Sequence, residues 1–184
     1  MRKIIFILFI IFSLLILAGA YYVSQLPQGD RFNLANFSPQ ELYQAGQQKV
    51  KEGDFKEAKK YIEAALDKTP GNVTYLGELA AIKYKMEDYA GAISEYQKIY
   101  VAGENKGFAL NGLGNIYRDQ EKFAQAKKNY EQGLAEDSQY IALYQNYALM
   151  LVDQNQLEKA KEILKQGMAK TGSQELTATL GNLE

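Results

Sequence analysis

Residues 107–140 read GFALNGLGNIYRDQEKFAQAKKNYEQGLAEDSQY. Within them stand Leu110-x2-Leu113-Gly114-x2-Tyr117 and then Ala126-x3-Tyr130. A step of 34 residues in either direction brings back the same chemistry. Ala58, Ala92, Ala126 and Ala160 keep that step, and Phe55, Tyr89, Phe123 and Leu157 stand three places before them. Gly46, Ala80, Gly114 and Ala148 keep it too, as do Leu42, Leu76, Leu110 and Tyr144. An internal period of this size marks stacked supersecondary units. Small residues let two helices approach closely, and the large apolar ones at helical spacing fill the space between units. Packing is therefore the first reading of nearly all these positions.

The pattern resembles the tetratricopeptide repeat family, W-x2-L-G-x2-Y…A-x3-F…P. The resemblance runs from about Ser38 to Gly172, roughly three quarters of the chain. Departures are visible. Leu or Tyr replaces the opening Trp, and Lys49, Lys83 and Leu151 stand at the family's Tyr place. Among the copies, Pro70 alone supplies the closing Pro. The resemblance implies an all-α, right-handed solenoid of four helical hairpins, with repeats at about 39–72, 73–106, 107–140 and 141–172.

Punctuation falls where the period needs it. Ser38-Pro39-Gln40-Glu41 reads as an N-cap, a first-turn proline and a capping box. Turns within hairpins are expected at Gly53-Asp54, Glu87-Asp88, Gln120-Glu121 and Gln154-Asn155. Residues 173–184 (SQELTATLGNLE) open like one more helix, with Leu176 and Leu180 able to cover the end of the fourth hairpin. Repeat stacks need such caps for solubility.

Ahead of the repeats, residues 1–23 read MRKIIFILFIIFSLLILAGAYYV. Two readings stay open. A cleaved secretory signal has the basic start, the apolar run and Ala18-Gly19-Ala20 as its processing site. A retained helix from Ile4 to Val23 is about 30 Å long at 1.5 Å per residue, which spans a bilayer core. Either way, Arg2 and Lys3 stay inside and the repeats lie across the membrane. The bacterial inner membrane, with the repeats in the periplasm, is the expected place; a secreted or periplasmic soluble form is the alternative. Residues 24–37 (SQLPQGDRFNLANF) read as a short linker. Phe32, Leu34 and Phe37 are apolar enough to lie against the first repeat.

Composition narrows the function. The formal charge is −1, so no broad basic face advertises nucleic acid. Cysteine and histidine are absent, which removes disulfides, thiolate metal sites, the Cys nucleophile and the usual general base. No enzyme is expected, and no cofactor or metal is called for. Acidic pairs such as Glu87-Asp88 suit turns better than paired acid/base work.

The resemblance also implies a groove lined by first helices. The groove positions include Gln40, Tyr43, Gln44, Gln47 and Val50, then Thr74, Glu78, Ala81, Tyr84 and Lys85. The third copy gives Phe108, Asn111, Asn115, Arg118 and Asp119, and the fourth Ala142, Gln145, Asn146, Leu149 and Val152. Amides can donate to and accept from an extended peptide backbone. Asn111, Asn115, Arg118, Gln145 and Asn146 are the expected polar contacts, with Tyr84 and Phe108 as apolar anchors. Plain solvation of these side chains is the competing reading. Chaperone-binding members of the family clamp a terminal carboxylate with Lys and Arg on successive first helices; this chain has Tyr43, Gln47, Glu78, Phe108 and Gly112 there. A protein or peptide ligand is thus the expected partner. Self-association through Tyr100, Met150 or the C-terminal helix is the alternative.

Overall fold

The computed structural model describes residues 34–183. The expected membrane or signal segment, residues 1–23, and most of the linker lie outside the described residues. Among the described residues, no helix is long and apolar enough to cross a membrane.

Among the described residues, a 3-10 turn at Leu34–Asn36 leads into nine α-helices. These are α1 (Pro39–Lys51), α2 (Phe55–Lys68), α3 (Val73–Lys85), α4 (Tyr89–Ala102), α5 (Lys106–Asp119), α6 (Phe123–Glu136), α7 (Ile141–Asp153), α8 (Leu157–Thr171) and α9 (Gln174–Gly181). The described residues form no strand. They make a helical solenoid of four hairpins and a terminal helix.

Local signals mark several of the helix ends. Ser38 Oγ accepts from the Glu41 amide at 3.3 Å, and the Ser38 amide donates to Glu41 Oε2 at 2.8 Å. These bonds close the capping box, and the Ser38 hydroxyl, donating to Glu41 Oε2 at 2.7 Å, together with the Ser38 amide holds the Glu41 carboxyl below its usual range. Within every hairpin the turn repeats one geometry. The amides of Asp54, Asp88, Lys122 and Gln156 donate back to the carbonyls of Lys49, Lys83, Tyr117 and Leu151 at 2.8–2.9 Å. Each turn puts one residue in the left-handed region: Gly53, Glu87, Glu121 and Asn155. This is a Schellman-type helix ending, and it recurs at the period of the sequence.

Packing follows the small residues. A Cβ on Gly46 would come within 2.5 Å of Ile62, and one on Gly114 would strike the Tyr130 ring. Those two glycines let α1 meet α2 and α5 meet α6. Tyr130 and Ile62 are fully buried. The two helices of a hairpin make the most extensive pairing, followed by each second helix with the next first helix. Three apolar clusters result, one at each junction. Burying one such Leu or Ile side chain contributes about 1.5–3 kcal/mol. Leu34 and Phe37 pack on the first cluster, and Leu176 and Leu180 of α9 close the last.

Lys83 occupies the family's Tyr place because it has a partner there. Its ammonium lies 2.7 Å from Glu95 Oε1 on α4, and Glu95 also meets Lys98 at 2.8 Å. Glu95 is only 4% exposed. Burial alone would raise its carboxyl, but the two lysines outweigh that and hold it below the usual range.

Candidate functional site

The first helices α1, α3, α5 and α7 share one face of the stack. Helices α5 and α7 approach each other directly, and no pair of second helices does so to the same extent. Side chains bridge the seams of the stack. The Tyr75 hydroxyl donates to Gln40 at 3.4 Å between α3 and α1. The Tyr84 hydroxyl donates to Asp119 in a short bond between α3 and α5. Asn146 donates to Asn111 at 2.9 Å between α7 and α5. Gln145 donates to Glu175 of α9 at 2.9 Å.

These bonds show where each expected groove residue is already committed. Asn111 is buried, 7% exposed, and its carbonyl oxygen is taken by Asn146. Asn115 is half-buried, and its Oδ1 accepts from the Tyr130 hydroxyl at 2.7 Å. Arg118 pairs with Asp119 at 2.9 Å and lies 3.9 Å from Asp153. Its Nη1 is enclosed with no hydrogen-bond partner. That guanidinium is spent inside the stack. Phe108 packs edge-on against Tyr96 and covers Gly77. Tyr84 stays half-exposed, but burial and its bond to Asp119 push its phenol well above the usual range. Tyr84, Asn111, Arg118, Gln145 and Asn146 bond across to a neighbouring hairpin or to α9, while Asn115 and Phe108 meet residues of second helices.

Other parts of that face are open. Leu149 on α7 is 47% exposed, and Ala81 on α3 is exposed. Tyr43 of α1 stacks on Tyr75 of α3, centroids 4.8 Å apart and planes at 26°. Glu78, one turn after Tyr75, is half-buried. Neither Tyr43 nor Glu78 is among the residues expected to make the main contacts. The signal available for them is their place on the groove face, which gives no ranking. On another side, an open cleft of about 530 Å³ lies among α6, α7 and α8, lined by residues including Phe123, Lys127, Tyr147, Lys159 and Ile163.

Of the residues set aside for self-association, Met150 is fully buried and belongs to the core. Tyr100 accepts from Gln132 at 2.7 Å and has the Lys106 ammonium 5.6 Å above its ring. Both are used within the chain. Among the described residues, no group of three or more His, Cys, Asp or Glu is placed to hold a metal ion.

Stacked hairpins with a shared first-helix face define a helical-repeat scaffold. Two family models, both described as tetratricopeptide repeat, match residues 43–106 and 117–180. These matches support the tetratricopeptide repeat family for the chain. TPR repeat-containing protein YpiA of Bacillus subtilis (strain 168) is 28% identical over 141 residues, covering 76% of this chain and 33% of that protein. The chain thus spans about a third of the length of that curated relative. A crystal structure of a thermophilic TPR protein of Thermus thermophilus matches with a TM-score of 0.64 at 21% identity, covering 79% of this chain and 81% of that one. PilF of Pseudomonas aeruginosa matches with a TM-score of 0.64 at 19% identity, covering 79% and 67%. These two likenesses are of fold. Repeats of this family generally mediate contacts between proteins and are typically scaffolds rather than enzymes.

Proposed function

We propose that this protein is a membrane-tethered adaptor that binds a segment of another protein on its first-helix face. The observation that carries the reading is that half-buried Tyr43 on α1, exposed Ala81 on α3 and exposed Leu149 on α7 stand on first helices and are left open by the seam bonds. An extended or helical segment laid across these positions gains apolar contact from Tyr43 and Leu149. It gains backbone hydrogen bonds from amide N–H groups that the seams leave over, such as that of Asn115. The tether is the apolar run 4–23, and its charge order favours the periplasmic side of a bacterial inner membrane for the repeats. Assembly of an envelope complex suits a scaffold so held.

A photo-reactive residue placed at Leu149 in the full-length chain in cells tests the binding face. The same residue at Gln97, exposed on the second helix α4, is the control. A discrete protein adduct from position 149 and none from 97 is the expected outcome. Equal adducts from both positions, or none from 149, overturn the reading. Protease accessibility of the repeats in spheroplasts tests the side of the membrane, and protection there removes the periplasmic assignment.

A further inference from the structure

Glu78 differs from the other carboxylates on the first-helix face. Asp119 is held by Tyr84 and Arg118, Asp153 lies beside Arg118, and Glu175 accepts from Gln145. Glu78 has no hydrogen bond and no ion pair among the described residues. Yet it is half-buried on α3. A carboxylate drawn partly out of water without a partner costs stability, since nothing replaces the lost hydration. Its raised proton affinity has burial as its cause.

What surrounds Glu78 favours a cation. Buried Tyr75 stands one turn before it, and half-buried Tyr43 stacks on that ring and presents its outer side. Gln47 donates to the Tyr43 oxygen at 2.9 Å and fixes that ring in place. The Tyr43 phenol is raised by burial and then by the Glu78 charge. Across the seam, Phe108 covers Gly77, the residue next to Glu78. Lys85 stands two turns further along the same helix, about 10 Å by the helical rise, and does not neutralise the carboxylate. Aromatic faces attract cations and also accept the methylene stem of a long basic side chain.

We propose that Glu78 receives a lysine or arginine side chain of the bound segment, whose stem lies along the half-buried Tyr43 ring. This rests on the first-helix face being the binding face. It adds that the ligand is a basic segment, and it names the residue that selects it. Arg118 cannot play the opposite role toward an acidic ligand, because Asp119 and Asp153 already hold it.

Selection from a phage library of random twelve-residue peptides, on the immobilised full-length chain in detergent, tests this. Parallel selections use Glu78→Gln and Glu78→Lys, each first shown by circular dichroism to melt as a folded helical protein. The native chain is expected to enrich peptides with Lys or Arg at one fixed position. Their affinity should fall about tenfold or more on Glu78→Gln, the scale of a lost charge-assisted hydrogen bond. Glu78→Lys should enrich acidic residues at that position instead. Two results overturn the assignment to Glu78 while leaving the binding face in place. One is a set of enriched peptides without a basic residue that still compete at Leu149. The other is a basic preference that Glu78→Gln leaves unchanged. Enrichment of nothing by the native chain overturns the assignment and the binding face together.

Discussion

Asn146 donates its side-chain amide to Asn111 across 2.9 Å, joining the first helices of the third and fourth hairpins. Asn111 is buried, so its carbonyl oxygen would otherwise lack a partner. The bond makes these two amides a seam fastening before they are anything else. Asn146→Ala is expected to destabilise by about 1–3 kcal/mol, the cost of leaving a buried polar group unsatisfied. Replacing both with Leu should cost much less, because no orphan remains. A double-mutant cycle in urea melts measures the coupling, and strict additivity would rule the fastening out.

Glu87 and Glu121 take φ values of 61° and 57° where Gly53 takes 78° in the first hairpin. A side chain in the left-handed region costs about 1–2 kcal/mol. Glu87→Gly and Glu121→Gly should therefore each stabilise the fold by about 1 kcal/mol, net of the extra freedom of the unfolded glycine. Thermal melts check this. An unchanged or lower melting temperature for both would show that the turns are not strained.

The second helices of the first two hairpins are capped by Asp54 and Asp88, whose carboxylates accept from the Glu57 and Gly91 amides at 3.1 and 3.0 Å. The same places in the last two hairpins hold Lys122 and Gln156, which make no side-chain cap. Lys122→Asp and Gln156→Asp are expected to stabilise by about 0.5–2 kcal/mol each. Denaturant midpoints read the gain, and the slope should not change.

Glu95 gives the stack an acid-sensitive joint. Its folded-state carboxyl lies below its unfolded value, so its contribution is present above the ordinary carboxylate range. That contribution is lost as pH falls through the depressed value. Glu95→Ala should cost about 3 kcal/mol at neutral pH, because it leaves Lys83 largely buried and unpaired. It should also flatten the fall in stability below about pH 4. A variant whose acid limb matches the native chain's would contradict this account.

Gly114→Ala should destabilise by about 1–3 kcal/mol, since the added methyl meets the ring of fully buried Tyr130. The readout is the melting temperature. A larger loss would mean that the Tyr130 hydroxyl has also left Asn115.

The hairpin count and the turns were legible because small residues and large apolar ones recur at one step, and packing alone fixes them. The pairing of polar groups was not. Lys83 looks like a departure from the pattern until Glu95, twelve residues on, is seen beside it. Asn111 and Asn146 both stand at groove places, and nothing in either residue type says that they take each other. Arg118 looks available in the sequence and is held by Asp119 and Asp153, one of them a whole repeat away. Polar side chains choose partners by distance in the fold, which a period of apolar residues does not encode. The N-terminal apolar run remains an expectation from sequence, lying outside the described residues.

The two ends of the stack are finished unequally. Among the described residues, a 3-10 turn covers the first hairpin at one end, with Lys68 donating to the Ala35 carbonyl at 2.7 Å. At the other, α9 buries Leu176 and Leu180. Each hairpin is supported only by its neighbours. Tension applied at Leu34 therefore loads α1 and α2 before anything beyond them, and the stack peels from that end in chain order. Each step releases one repeat of 34 residues, about 110 Å of contour, so a force–extension trace should show evenly spaced steps rather than a single rupture.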